Sequence, residues 1–310
     1  MVIAEKSNDR LNLLKTMSNK VQLADGLGQT GKISKNARER AFATLKAFRL
    51  ELSKYPIEYF CVVGTSALRE AKNAKQFIEE AKTMGFCINV ISGTEEAFYI
   101  YQGVHAFLPS SDTPRLIFDI GGGSTEFAIG NKELPLHLNS LPMGCVTLRT
   151  AKGDDDKDEK ITHKLLAKTR RKAHEMLEHQ LHSVFYTHDW HEAYATSGTA
   201  KMLSAVLREN KLTDGEITLQ ALWQLEDKLV SLGTTAALES LPGLKSNRRS
   251  VMVSGLAIMQ SVLDHLGIDH VDYSDVALRE GVLLSLDKQG KDFPLFTLIG
   301  AEHIKTQLGQ

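Results

Sequence analysis

The segment RLIFDIGGGSTEFAIG, residues 115–130, restricts the folds open to this chain more than any other feature of the sequence. Two apolar runs flank three consecutive glycines, a pattern that predicts two strands joined as a hairpin by a wide turn. Because glycine has no Cβ, consecutive backbone N–H groups in such a turn can converge on one anion. No GK[ST] sequence follows the glycines and the next run resembles a strand, which excludes a P-loop and a dinucleotide-binding turn.

A phosphate-binding turn between two strands favours an actin-like and sugar-kinase architecture. Asp119, at the end of the first strand, could then hold a metal ion or a water molecule. The phosphate donors would be the backbone N–H groups and hydroxyls of the turn, from Gly121, Gly122, Gly123, Ser124 and Thr125. A glycine-rich hairpin turn without a ligand is the alternative, because short glycine motifs are common.

Three other junctions between a strand and a helix carry polar side chains. In SGTEEA (92–97), Glu95 and Glu96 fall in the first helical turn, where one of them could orient or deprotonate a water molecule. The alternative is a helix capped by Thr94, with both glutamates on its surface.

The other two junctions suit anion binding. GTSALR (64–69) places Arg69 where its guanidinium could bind a phosphate, although an ordinary surface arginine fits the pattern equally well. TSGT (196–199) places hydroxyls and a glycine at a helix start, which suits either an anion or simple capping.

The order of the predicted elements indicates an α/β protein with largely parallel sheets. A helix is predicted over 34–53 from a cap at Ser34, and strands at 57–64 and 87–92 flank a helix over 67–84. Two strands connected in this way are normally parallel. Because 310 residues favour two domains, the turn-rich loop at 108–114 divides the chain into domains 1–106 and 107–310, with C-terminal helices that could pack back on the first.

Charge and composition exclude several function classes. Lys plus Arg (37) nearly balances Asp plus Glu (38), so no global field would attract nucleic acid or an anionic membrane. The acidic run at 153–160 is predicted to be a solvated loop. Three widely spaced cysteines, without a signal peptide or an 18-residue apolar run, predict a cytoplasmic location.

Several segments along nearly the whole chain have characteristic sequences, and these segments follow one another in a characteristic order. They are VQLADGLGQTGKIS (21–34), VVGTSALREAKN (62–73), VISGTEEAFYIYQGV (90–104), LIFDIGGGSTEFAIG (116–130), LPMGCVTL (141–148), ATSGTAK (195–201), LPGLKSNRRSVMVSGLAI (241–258) and SDVALREGVL (274–283). In these segments the chain resembles the exopolyphosphatase and guanosine pentaphosphatase (Ppx/GppA) family.

The resemblance implies a pair of actin-like, ribonuclease H-like α/β domains with the active site in the cleft between them. It also implies Mg²⁺-assisted attack of water on a terminal phosphoryl group. Glu96 matches the family's catalytic glutamate, Asp119 its metal- or water-linked aspartate, and Glu126 the acidic residue that closes the glycine motif. The matching phosphate-site residues are Arg69, Gly121, Gly122, Gly123, Ser124, Ser197, Gly198 and Thr199.

The start of the chain departs from the family pattern. Family members begin with a strand and a DxGSNS phosphate loop, whereas MVIAEK resembles the strand that follows this loop. We therefore expect the first phosphate loop to be absent and hydrolysis by residues 1–310 to be weak.

The sequence leaves several functions open. The first is an exopolyphosphatase that releases orthophosphate from inorganic polyphosphate, and hydrolysis of pppGpp to ppGpp is close to it. A catalytically impaired phosphoanion-binding protein would follow from the missing loop. A sugar or acetate kinase is disfavoured because SG-x-EEA resembles the hydrolases. A homodimer is compatible with the apolar helix faces.

Overall fold

The computed structural model describes residues 1–7, 10–149, 159–187 and 189–289, so most of the predicted acidic loop at 153–160 lies outside the described residues. The chain divides into two compact units, Met1–Ser92 with the described residues from Arg279 onward, and Gly93–Leu278. The predicted boundary lay between residues 106 and 107, so the helix that begins at Gly93 belongs to the second unit instead of the first. No helix among the described residues has the length and apolar character needed to cross a membrane.

The strands and helices follow one another along the chain in mixed order. The strands are β1 (Val2–Ser7), β2 (Arg10–Thr16), β3 (Val62–Gly64), β4 (Ile88–Val90), β5 (Arg115–Ile120), β6 (Thr125–Gly130), β7 (His137–Leu141), β8 (Glu192–Thr196), β9 (Ile217–Thr218) and β10 (His270–Tyr273). The α-helices are α1 (Leu27–Thr30), α2 (Lys35–Leu52), α3 (Ser66–Glu70), α4 (Ala74–Thr83), α5 (Gly93–Phe107), α6 (His163–Gln180), α7 (Ser197–Glu209), α8 (Leu219–Leu232), α9 (Met252–His265) and α10 (Leu278–Gln289). Short 3₁₀ helices cover Ser183–Tyr186, Ala237–Ser240 and Ser246–Val251.

The first unit contains the antiparallel hairpin β1–β2 and the parallel pair β3–β4. The parallel pairing confirms the predicted strand–helix–strand unit, but its connection consists of α3 and α4 instead of one helix. Ser34 caps α2 as predicted, because its hydroxyl accepts a hydrogen bond from the N–H of Ala37 at 3.2 Å.

The second unit is built on a six-stranded mixed sheet with the order β7-β6-β5-β8-β10-β9. The hairpin β5–β6 is antiparallel as predicted, and β7 continues it on the outer side. On the other side β8 is parallel to β5 and β10 is parallel to β8. The sheet therefore places the ends of β5 and β8 side by side, next to the turn that contains the glycines.

The two faces of this sheet are covered differently. On one face, here called the α5 face, Ile117 of β5 and Ala128 of β6 pack with Ile100 and Val104 of α5. The opposite face, here called the core face, carries the large apolar core of the second unit. Its strand residues include Leu116, Phe118, Ile120, Phe127, Ile129 and Leu141, which pack with residues of α6, α7, α8 and α9. Alternation along each strand produces this division.

Candidate active site

A row of polar side chains crosses the sheet on its α5 face. The strand register places Asp119 of β5 beside Thr196 of β8 and opposite Glu126 of β6, and Glu126 opposite Ser140 of β7. Each of these four residues lies two positions along its strand from a residue that packs on the α5 face. Side chains two positions apart on a strand point to the same face, so all four lie on the α5 face. We call Thr196, Asp119, Glu126 and Ser140 the polar row.

Helix α5 contributes a third carboxyl group to this face. Glu96, Ile100 and Val104 recur at four-residue spacing and therefore lie on one side of the helix. Since Ile100 and Val104 pack on the sheet, Glu96 lies one turn closer to the helix start, over the polar row. Only 8% of Glu96 is exposed. The structure thus brings together the three predicted catalytic residues, Glu96, Asp119 and Glu126.

The proximity of these groups changes their acidity. Burial, together with the nearby Glu96 carboxylate, raises the pKa of Asp119 to about 7. Burial also raises the pKa of Glu126 well above its usual range, and the carboxylates of Glu96 and Asp119 add to this increase. Hydrogen bonds from Ser124 and Ser140 act in the opposite direction. Two carboxyl groups with raised pKa values beside the Glu96 carboxylate form an environment that a bound cation would stabilise.

The donor set fits Mg²⁺. This ion prefers oxygen ligands, and proteins usually hold it through one or two carboxylates while waters and substrate phosphates complete its coordination. Among the described residues, no group of three or more His, Cys, Asp or Glu side chains is arranged to hold a metal ion by itself. Asp119, at the end of β5 and next to the glycine turn, is positioned to be a single carboxylate ligand.

The glycine turn at 121–124 is held from one side by the segment that follows β7. The carbonyl oxygen of Gly122 accepts hydrogen bonds from the N–H groups of Val146 at 2.8 Å and Thr147 at 3.2 Å. A Cβ on Gly144 would lie 2.2 Å from the same oxygen, so this close approach requires glycine. The carbonyl groups of the turn are therefore used for anchoring.

The N–H groups of the turn are not equivalent. Gly121 donates its N–H to the carbonyl oxygen of Ser124 at 2.9 Å, so this group closes the turn and does not point to a ligand, unlike the prediction for Gly121. Within the described part of the chain, the N–H groups of Gly122 and Gly123 have no hydrogen-bond acceptor. These two groups keep the predicted capacity to bind an anion.

The two hydroxyls that follow the glycines point to opposite faces of the sheet. Ser124 is buried beside Glu126 and helps to lower the pKa of its carboxyl group. Thr125 precedes Glu126 by one residue and therefore lies on the core face, where its hydroxyl donates to the carbonyl oxygen of Met143. This contact corrects the prediction that the hydroxyl of Thr125 binds phosphate.

The junction between β8 and α7 lies beside Asp119 and contains a strained residue. Ser197 has a left-handed φ of 98°, which costs a residue with a Cβ about 1–3 kcal/mol and is often found at functional sites. Its hydroxyl oxygen accepts the N–H groups of Thr199 at 3.0 Å and Ala200 at 3.3 Å. Thr199 is buried and packs close to Gly255, so its side chain has a structural contact instead of an open position.

An arginine that the sequence analysis did not assign lies at this junction. A Cβ on Gly198 would approach Nη2 of Arg248 to 2.1 Å, so the guanidinium lies directly over the glycine. Arg248 is half-buried, in the 3₁₀ helix Ser246–Val251. Its only sequence signal was its place within the segment 241–258, which resembles the family. The structure thus adds a guanidinium next to the end of β8.

Arg69, the arginine that the sequence predicts to bind phosphate, lies in the first unit. It is half-buried in α3, and its Nη1 donates to the carbonyl oxygen of Ile91 at 2.9 Å. This contact links α3 to the segment after β4. The predicted phosphate-binding role of Arg69 stays a prediction.

Comparison with known proteins identifies relatives over nearly the full chain. Residues 2–289 match the model of the Ppx/GppA phosphatase family. A relative from Haemophilus influenzae named as an exopolyphosphatase is 35% identical over 289 residues, which are 93% of this chain and 88% of the relative. This identity over such a length is evidence of common descent.

Solved structures show the same architecture. An exopolyphosphatase from Cytophaga hutchinsonii superposes with a TM-score of 0.77 at 26% identity, covering 92% of this chain and 93% of its own. The Aquifex aeolicus member of the Ppx/GppA family gives a TM-score of 0.72 at 23% identity, with 94% of each chain covered. The fold is therefore actin-like, as predicted. Since the family model also spans residues 2–289, this chain belongs to the Ppx/GppA phosphatases, hydrolases that act on phosphoanhydrides.

Proposed function

We propose that this protein is an exopolyphosphatase, which hydrolyses the terminal phosphoanhydride bond of inorganic polyphosphate and releases orthophosphate. The observation that carries this proposal is the grouping of Glu96, Asp119 and Glu126 on the α5 face, directly beside the glycine turn. Relatives named as exopolyphosphatases support the choice of substrate.

The positions of the residues suggest a division of tasks. Glu96, in the first turn of α5, would orient the attacking water and accept its proton, because it is the carboxylate that approaches from the helix and not from the sheet. Asp119 would hold Mg²⁺, which when bound would neutralise charge on the phosphate oxygens. Glu126 would support the other two carboxylates from the middle of the polar row.

The terminal phosphate would be held at the ends of β5 and β8. The N–H groups of Gly122 and Gly123 supply donors on one side, and the junction of Ser197 and Gly198 with the guanidinium of Arg248 supplies them on the other. Hydrolysis of a phosphoanhydride depends mainly on positioning and charge neutralisation, so these donors would act without a covalent nucleophile.

Steady-state kinetics with two substrates tests the proposal. The intact protein with Mg²⁺ is expected to release orthophosphate from polyphosphate with a higher kcat/KM than from pppGpp. A higher kcat/KM for pppGpp would make the protein a guanosine pentaphosphate phosphohydrolase. Binding of polyphosphate without any turnover would instead identify a phosphoanion-binding protein and would contradict the proposed activity.

A further inference from the structure

We propose that Ser140, a residue without a predicted role, is a positioning residue that acts on the reaction through Glu126. The inference rests on the proposed function. Ser140 lies on β7, directly opposite Glu126 on β6, and its hydroxyl donates to Oε1 of Glu126 at 2.9 Å. Glu126 itself is only 1% exposed, so little water is present to replace this donor.

The carboxyl group of Glu126 needs such a partner to keep one orientation. The last torsion of a glutamate side chain is broad and roughly two-fold, so packing alone does not fix the plane of the carboxyl group. Ser140 holds it from the outer strand through the hydrogen bond to Oε1. The carboxyl group is therefore fixed from the edge of the sheet.

The same contact ties β7 to the strand that leaves the glycine turn. Glu126 is the second residue of β6, which begins directly after the turn, and the carbonyl oxygen of Ser124 accepts the N–H of Gly121 at 2.9 Å. If the hydroxyl of Ser140 is removed, the carboxyl group of Glu126 loses the hydrogen bond that fixes its plane. Ser140 would thus determine the orientation of this carboxyl group beside the glycine turn.

A double-mutant cycle separates this role from a purely structural one. Ser140→Ala is expected to lower kcat for polyphosphate about tenfold, the effect of one buried hydrogen bond to a carboxyl group, with KM within about twofold. Ser140→Thr keeps the hydroxyl and is expected to recover most of the loss. In the Glu126→Ala background, Ser140→Ala is expected to change kcat less than about twofold, because the acceptor of its hydrogen bond is already removed.

The matched control is Ser204→Ala in α7, which also removes a hydroxyl hydrogen bond, to the carbonyl oxygen of Gly215 at 2.6 Å, away from the polar row. It is expected to leave kcat unchanged. Wild-type kcat in Ser140→Ala, or an undiminished effect of this substitution in the Glu126→Ala background, would overturn the proposal while leaving the proposed function intact.

A crystal structure of Ser140→Ala gives a readout that does not depend on turnover. The carboxyl group of Glu126 is expected to rotate from its wild-type orientation. If the carboxyl group of Glu126 keeps its wild-type orientation, Ser140 does not position it. A wild-type protein without phosphate release would instead refute the proposed function, whatever the orientation of Glu126.

Discussion

The two faces of the six-stranded sheet use the same strands for different purposes. On the core face, Phe118 and Ile120 of β5 are almost completely buried and pack into the large apolar core. On the α5 face, Asp119 stands between these two residues and carries a carboxyl group with a raised pKa. Side chains alternate between the two faces of a strand, so the buried core residues of β5 hold the carboxyl group of Asp119 in place on the other face.

The difference between the two faces explains how carboxyl groups that repel one another can be kept close together. Three carboxyl groups at one site would separate if the strands and the helix that carry them were mobile. Phe127, next to Glu126, is locked in the core with Phe185, their ring centroids 6.0 Å apart. The core face thus supplies the stability that the α5 face needs, and substitutions on the two faces should have different consequences.

The largest effect is expected on the α5 face. Glu96→Gln keeps the shape of the side chain but removes the group that would accept the proton, so kcat for polyphosphate should fall roughly 10²–10⁴-fold with KM within a few-fold. Steady-state kinetics measures both. Glu95→Gln, the adjacent position in the same helical turn, is the matched control. Near-normal turnover in Glu96→Gln would remove this residue from the proposed role.

On the core face, a change should affect stability and not chemistry. Phe185→Ala leaves a cavity beneath β6 and should lower the free energy of unfolding by about 3–5 kcal/mol. At temperatures where the protein stays folded, kcat should remain within a few-fold. Leu134→Ala, at a position that is 68% exposed, should change stability by less than about 0.5 kcal/mol.

Denaturant unfolding and steady-state kinetics, measured on the same samples, test whether a change on the core face affects stability without affecting catalysis. A large fall in kcat for folded Phe185→Ala would mean that the two faces are not separable.

A smaller effect is expected beside the polar row, at the end of β8. Arg248→Ala removes the guanidinium over Gly198 and should raise KM for polyphosphate about tenfold, with a smaller change in kcat. Arg248→Lys should recover the loss only in part, because a lysine cannot reproduce the planar donor geometry. The neighbouring Arg249 pairs with Glu239 at 3.3 Å, and Arg249→Ala is therefore the control. Equal KM values for the two alanine variants would contradict a specific role of Arg248.

Local sequence patterns predicted the parts of the fold that depend on local physics. The hairpin around the glycines, the cap at Ser34 and the parallel pair β3–β4 follow from turn residues, side-chain capping and chain connectivity. The break between α3 and α4 does not, because its cause lies far away in sequence. Ala71 leaves the helical conformation with ψ 124°, and the N–H of Lys72 donates to the carbonyl oxygen of Gly31 at 2.8 Å instead of to a helical carbonyl. The side chain of Asn73 adds two hydrogen bonds to the backbone of Ile33.

In the candidate site as well, the sequence predicted the residues that stand in local motifs and not those that are brought in by the tertiary fold. Glu96, Asp119 and Glu126 stand in recognisable motifs, and the alternation of a strand already implies that Thr125 faces away from Glu126. Ser140 and Arg248 could not be found in this way. The segment HLNSL, which forms β7, has a weak strand pattern, so neither β7 nor Ser140 as the partner of Glu126 was predicted. Arg248 reaches Gly198 only through the tertiary fold.

A magnesium titration of Asp119→Asn tests the central claim, that the α5 face is the site of metal-assisted hydrolysis. Phosphate release from polyphosphate is measured against Mg²⁺ concentration for the wild type, for Asp119→Asn and for the exposed control Asp112→Asn. Loss of the carboxylate should shift half-saturation to at least about tenfold higher Mg²⁺ and lower kcat, while the control behaves like the wild type. If Asp119→Asn titrates with Mg²⁺ as the wild type does, the metal is not held at the polar row, and the α5 face is not the site of metal-assisted hydrolysis.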